Sequence, residues 1–228
     1  MKIDWANMPT YNTVMALAAG AGLLLVVALG YQLRGTKAVP VAGYSLAFGV
    51  LGVILTLTGL HMTLTWPLAA GGFPFDNVIF GEPSLIFGVL LLAAAFYLWK
   101  RGETLTGAEG RAGVVAGVAG PVSVFVFGSG LAAFAIAAAG IRYTLFAAPP
   151  QEPISGMFAA HPLIEATFMS LLYALVGVGA VLFPFALRRR AAGVQAVVGV
   201  AWGLAGIAFF LFGALNYFTH IGLIVNTM

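Results

Sequence analysis

Long apolar runs separated by short polar segments dominate the pattern of this chain. About 20 apolar residues, at about 1.5 Å each in a helix, cross about 30 Å of hydrocarbon. The fourth run is over-long, and Pro121 is expected to kink it or to mark its true start. The pattern predicts an all-α integral membrane protein, with 1–228 as a single transmembrane helical domain. The six predicted transmembrane helices span about 12–33, 40–66, 83–99, part of 112–145, 162–187 and 194–221.

The composition supports a membrane protein. Apolar residues make up 61% of the chain and charged residues only 7%, against roughly 25% charged in an average soluble domain. This excludes a soluble globular protein, a disordered chain and a nucleic-acid-binding module, so the expected partner is the lipid bilayer. The absence of cysteine excludes disulfides, thiolate metal sites and cysteine nucleophiles.

The basic residues predict the orientation in the membrane, because loops rich in Lys and Arg stay on the cytoplasmic side. Only Lys2 and Arg142 fall on the opposite side. Both termini are therefore expected on the outer, periplasmic side. The loops assigned to the cytoplasm hold eight cations: Arg34, Lys37, Lys100, Arg101, Arg111, Arg188, Arg189 and Arg190.

An internal repeat is suggested by the starts of alternate helices. Met8-Pro9, Glu82-Pro83 and His161-Pro162 would each place proline at the first helical position, where its missing N–H costs nothing. Two returning helices also match, since 59–63 resembles 140–144. The expectation is three pseudo-repeated helical hairpins around an approximate three-fold axis.

Ionisable residues gather on the predicted outer side, where all three histidines and five of the seven acids fall. His161 and Glu165 are four residues apart and would share one helix face. Imidazole with carboxylate and no thiolate suits a transition metal ion such as copper, iron or zinc. The predicted metal ligands are His61, Glu82, His161, Glu165 and His220. The residues expected beside them are Arg142, Asp76 and Asn216.

Each candidate also has a purely structural interpretation. Glu82 could stabilise a helix N-terminus, where negative charge is favoured. Glu165 could form a salt bridge with Arg142, and His220 could lie in a frayed helix end. Heme is a less favoured cofactor, because histidines near one surface disfavour a bis-His heme at the midplane.

These observations favour metal-dependent redox or hydrolytic chemistry on a membrane-soluble or periplasmic substrate, as an oxidoreductase or hydrolase. One alternative is a non-catalytic subunit of a larger respiratory or oxygenase complex, or a homo-oligomer. The other is a transporter of a metal ion or small solute. A transport path needs polar groups near the midplane, where this sequence offers few.

Two motifs carry a resemblance to a known family. They are 59–67 (GLHMTLTWP) and 80–85 (FGEPSL), and 8–12 (MPTYN) is similar as well. The chain resembles the multi-spanning membrane family of actinobacteria and archaea catalogued as domain of unknown function 981. The resemblance implies a prokaryotic inner membrane and makes His61 and Glu82 members of the motif. It implies no particular activity.

Overall fold

Six long helices form the protein in the computed structural model, which describes residues 11–65, 75–107, 110–189 and 191–228. Each helix is long and apolar enough to cross a membrane. No strand occurs within those ranges, so the predicted all-α class and the six spans are confirmed. The helices are α1 (Asn12–Gln32), α2 (Val41–Leu64), α3 (Glu82–Gly107), α4 (Arg111–Tyr143), α5 (Pro162–Arg189) and α6 (Ala192–Thr227). A π-helical turn (Asn77–Gly81) precedes α3, and a 3-10 turn (Ser155–Phe158) precedes α5.

Two helices extend well beyond the apolar runs that predict them. α3 continues past Trp99 through charged residues to Gly107, and α6 continues to Thr227. α4 begins at Arg111, so Pro121 lies inside this helix rather than at its start. These helices can continue out of the apolar layer, because their backbone hydrogen bonds remain within the helix in water as well as in lipid.

Helix packing is most extensive in three antiparallel pairs: α2 with α3, α4 with α5, and α1 with α6. The hairpins predicted from the repeated prolines instead join α1 to α2, α3 to α4 and α5 to α6, and each of these packs less extensively. The repeat itself stays a prediction. Met8-Pro9, Lys2, Trp66 and Arg190, on which parts of the sequence analysis rest, lie outside the described residues.

Small residues bring the helices of each main pair into backbone contact. A Cβ atom at Gly52 of α2 would lie 2.9 Å from the backbone N of Leu92 in α3. A Cβ atom at Gly130 of α4 would lie 2.9 Å from the backbone of α5, and one at Gly213 of α6 would lie 2.5 Å from the backbone of α1. Without a hydrophobic driving force in lipid, close packing of this kind is a main source of helix association.

Candidate functional site

A long cavity runs along the axis of the bundle, with a volume of about 990 Å³. Its walls come from α1, α3, α4, α5 and α6, and α2 contributes Phe48. Along α1 the lining extends from Asn12 to Leu33, a distance of about 30 Å at the rise of an α-helix. The cavity is therefore narrow and nearly as long as the membrane-spanning part of the bundle.

The cavity lining is apolar along most of its length and polar at one end. That end is where α1, α3 and α5 begin and α4 and α6 finish. The opposite end has Lys100 and Arg101 in its lining. The side chains at the polar end, named here the polar cluster, are Asn12, Asp76, Glu152, Glu165, Asn216 and His220.

Glu152 and His220 form the closest pair of titratable groups in the polar cluster. Glu152 Oε1 lies 3.7 Å from His220 Nε2, and the two side chains are only 10% and 20% exposed. Burial raises the pKa of Glu152, a hydrogen bond from the Thr219 side chain lowers it, and the negative charge of Glu165 raises it further. The carboxyl of Glu152 is thus held in a setting that favours its protonated form.

Glu165 fixes the segment that carries Glu152. Its Oε2 accepts a hydrogen bond of 2.8 Å from the backbone N–H of Ala148. The Ser155 side chain forms a further hydrogen bond to this carboxylate. Both partners lie in the connection between α4 and α5, so one side chain near the start of α5 holds this connection over the end of the cavity.

Asp76 lies immediately before the third span and is buried at 8% exposure. Burial raises its pKa from 3.8 to about 7. The neighbouring turn is held on two sides, because Asn77 donates to the backbone carbonyl of Met62 and the Tyr173 hydroxyl donates to that of Ile79. Asp76 is therefore kept out of water by well-anchored backbone and is partly protonated at neutral pH.

Two of the five predicted metal ligands line the cavity: Glu165 and His220. The other three, His61, Glu82 and His161, are exposed on the surface of the bundle. The hydroxyl of Tyr11 and Nδ1 of His61 form a hydrogen bond of 2.7 Å.

Of the three residues expected beside the ligands, two line the cavity and one is exposed on the surface. Asp76 and Asn216 belong to the polar cluster. Arg142 is exposed, and its guanidinium carbon lies 5.6 Å from the centre of the Tyr143 ring. Glu165, the predicted salt-bridge partner of Arg142, is instead hydrogen-bonded to Ala148.

The described ranges contain no group of three or more His, Asp or Glu side chains arranged to hold a metal ion. The predicted ligands are separated because His161 precedes α5 while Glu165 lies within it, so the four-residue spacing does not bring them onto one helix face. The metal site and the identity of any metal stay predictions.

Two residues of the polar cluster escaped the sequence analysis as site candidates, Asn12 and Glu152. The Oδ1 atom of Asn12 is buried and has no hydrogen-bond partner within the described structure. Glu152 follows Pro149 and Pro150 and precedes Pro153. The sequence signal for Glu152 was its position as the single acid in a proline-rich connection. Prolines restrict the backbone there and so limit where the carboxyl can lie.

Comparison with protein families matches residues 8–222 to a family described as "Protein of unknown function (DUF981)". No curated protein matches the chain, and no solved structure matches it.

Proposed function

This chain belongs to the DUF981 family, which brings no known activity with it, and we propose its function from the cavity. The protein is a multi-pass membrane protein that binds an elongated, membrane-soluble molecule in the axial cavity. The polar end of that molecule is held at the polar cluster. The observation that carries this proposal is an apolar cavity of about 990 Å³ with buried hydrogen-bonding groups at one end.

The shape of the cavity supports a chain-like ligand. A volume of about 990 Å³ distributed over a length of about 30 Å is narrow, which suits one extended chain better than a compact molecule. Apolar walls with a few polar groups at a defined place are typical of small-molecule sites. The acidic, basic and histidine residues of the lining lie at the two ends rather than at the midplane, which favours binding over transport.

The polar cluster favours a ligand end that donates hydrogen bonds. Glu165 offers carboxylate oxygens, and Asn12 has a buried acceptor without a partner in the described structure. A hydroxyl or an amine would satisfy these acceptors. A carboxylate or phosphate would meet repulsion from the Glu165 carboxylate. The ligand class is therefore a long-chain alcohol or amine, or a molecule with an equivalent end.

We place the polar cluster on the outer face of a prokaryotic inner membrane. The support is the distribution of Lys and Arg along the sequence, in which eight of ten fall in the segments predicted to lie on the opposite side of the membrane. In this orientation both termini are outside. Lys100 and Arg101 at the other end of the cavity then lie at the cytoplasmic interface.

The proposal is tested with three probes that share one chain: hexadecanol, hexadecylamine and hexadecanoic acid. Each is added to the detergent-purified protein, and the Tm and the mass of the complex are measured. A ligand at about 100 times its Kd stabilises by about 2.7 kcal/mol, so the alcohol or the amine is expected to raise the Tm clearly.

Two variants locate the site. Glu165→Gln should reduce the effect of the probes, whereas Glu82→Gln, which changes an exposed acid near the same end, should not. Equal stabilisation by hexadecanoic acid would contradict the proposed ligand class. Failure of all three probes to bind would contradict the function.

A transition metal ion at the polar cluster is the second candidate, which retains the metal-dependent redox or hydrolytic chemistry expected from the sequence. It is favoured by one observation, the 3.7 Å approach of His220 Nε2 to Glu152 Oε1, since imidazole and carboxylate together suit copper, iron or zinc. It ranks second because no third ligand joins the pair within the described ranges.

Elemental analysis of the purified protein decides between the two candidates. About one equivalent of metal that is lost in His220→Ala and kept in His61→Ala would establish the metal candidate. An optical spectrum of the same sample tests for heme. Co-purification of other membrane proteins, in the absence of metal and of lipid binding, would favour the role of a subunit in a larger complex.

A further inference from the structure

The exposed part of the cavity lining is confined to two helices. The remaining lining residues that the structure describes, on α1, α5, α6 and the connections, are buried or half-buried. The cavity therefore opens between α3 and α4 and is enclosed on its other sides. The exposed lining residues are Ala93, Phe96, Lys100 and Arg101 on α3, and Val118, Val122 and Ala132 on α4.

Weak packing between α3 and α4 accounts for this opening. The two helices follow each other in sequence, yet they pack far less extensively than α2 with α3 or α4 with α5. A Cβ atom at Gly117 or Gly120 of α4 would meet nothing within 4 Å, whereas one at Gly130 would lie 2.9 Å from the backbone of α5. Gly117 and Gly120 thus make no close helix contact of the kind that Gly130 makes with α5.

Pro121 lies within α4, directly after Gly120. A proline within a helix has no N–H to donate, so the carbonyl of Gly117 loses its usual partner. Helices bend most readily at such positions. α4 can therefore bend beside the opening while its second half stays fixed to α5.

We propose that the ligand enters the cavity sideways, from the bilayer, through the opening between α3 and α4. This inference rests on the proposed function and adds the source of the ligand: it is a molecule dissolved in the membrane. The exposed rim formed by Ala93, Phe96, Val118 and Val122 is apolar and lies within two spans, so it faces acyl chains. The Lys and Arg at its end mark the headgroup level.

Two substitutions on α4 test this route. Val122 lines the cavity and is 44% exposed, whereas Val124 is 67% exposed and does not line it. Val122→Phe adds bulk at the rim, and Val124→Phe adds the same bulk on another part of the helix. The protein is reconstituted in phosphatidylcholine vesicles, and uptake of the polyene alcohol retinol is followed by energy transfer from tryptophan. Trp202 in the cavity wall is a suitable donor.

Val122→Phe should slow both uptake and release by about tenfold, because the added bulk narrows the opening that the ligand passes in either direction. Val124→Phe should match the unsubstituted protein. Equal rates in all three proteins, with retinol still bound, would overturn the lateral route and leave the proposed function standing. Absence of retinol binding in the unsubstituted protein would instead count against the proposed function.

Spin labelling tests the opening directly. The chain has no cysteine, so Val122→Cys and Val124→Cys each carry a single thiol, which is labelled with a nitroxide in detergent before reconstitution. Both nitroxides should be relaxed by oxygen dissolved in the vesicle membrane, and bound retinol should reduce this relaxation only at position 122. Weak relaxation at position 122 in the ligand-free protein, with strong relaxation at position 124, would show that another chain covers the rim and would overturn the proposal.

Discussion

Two sets of ionisable side chains lie at the same end of this bundle in different surroundings. The exposed set is His61, Glu82, His161 and Arg142. The enclosed set is Asp76, Glu152, Glu165 and His220, all in the cavity lining. The exposed side chains keep contact with water or lipid headgroups, so their charges cost little and their pairings contribute little. The enclosed side chains have lost that solvation, and a ligand can restore part of it.

The enclosed set should therefore dominate both stability and binding, and Asp76 is expected to have the largest effect. Its folded pKa of about 7 exceeds its ordinary value of 3.8. The folded state then binds more protons between these values, and the free energy of unfolding falls as the pH rises from about 4 to 7. The maximum loss from a shift of this size is about 4 kcal/mol.

Asp76→Asn should remove this contribution and raise the Tm at pH 8 more than at pH 4. Thermal unfolding of the detergent-purified protein over this pH range measures it. Glu152 contributes pH dependence of the same sign, since burial also raises its pKa, so some slope will remain. A Tm that falls with rising pH by the same amount in both proteins would contradict the assignment.

Glu165→Ala should have the next largest effect. It leaves the Ala148 N–H without its acceptor and frees the connection between α4 and α5. Loss of a hydrogen bond to a charged group typically costs about 1.5–3 kcal/mol, and probe binding should weaken as well. Glu82→Ala is the matched control. An equal fall in Tm for both variants would remove the distinction between the two sets.

A smaller effect is expected for His61, the exposed residue with the best-defined partner. His61→Phe keeps an aromatic ring beside Tyr11, whose ring centre lies 5.7 Å away, and removes the hydrogen bond. The expected loss is about 1 kcal/mol or less, and a double-mutant cycle with Tyr11→Phe should isolate it. A loss above about 2 kcal/mol, or loss of bound metal, would place His61 in a functional site.

His161→Gln should have the smallest effect, with no measurable change in Tm or in probe binding. His161 is exposed, and substitutions at exposed positions without special contacts are usually nearly neutral. The same measurements used for Glu165→Ala apply here. A clear loss of probe binding would show that the exposed set takes part in ligand recognition.

The sequence predicted how far along each membrane span these residues lie better than it predicted which way their side chains point. Counting along apolar runs located the six spans and the end at which the acids gather. It could not identify which helix face points inward, because a helix that is apolar all round has no polar stripe to mark its outer side. The sequence analysis therefore favoured His61 over His220, although His220 lines the cavity and His61 is on the surface.

Connections between helices were harder still to predict. Glu152 reaches the cavity from the α4–α5 connection, whose course depends on hydrogen bonds such as that of Ala148 to Glu165. Likewise, apolar periodicity does not specify helix partners, so the pairing of α1 with α6 came only from the structure. Gly20 and Gly213 were visible in the sequence as small residues, but their partner helix was not.

The partnership of α1 with α6 also sets the order in which the protein can be assembled. Because a chain is synthesised from its N-terminus, α1 enters the membrane before the five helices that follow it. Until α6 is made, the face of α1 around Gly20 lies against lipid, and the part of the cavity wall that α6 supplies is missing. A chain interrupted before α6 is thus left with only the less extensive packing of α1 against α2 and α3, and with its cavity open on one side.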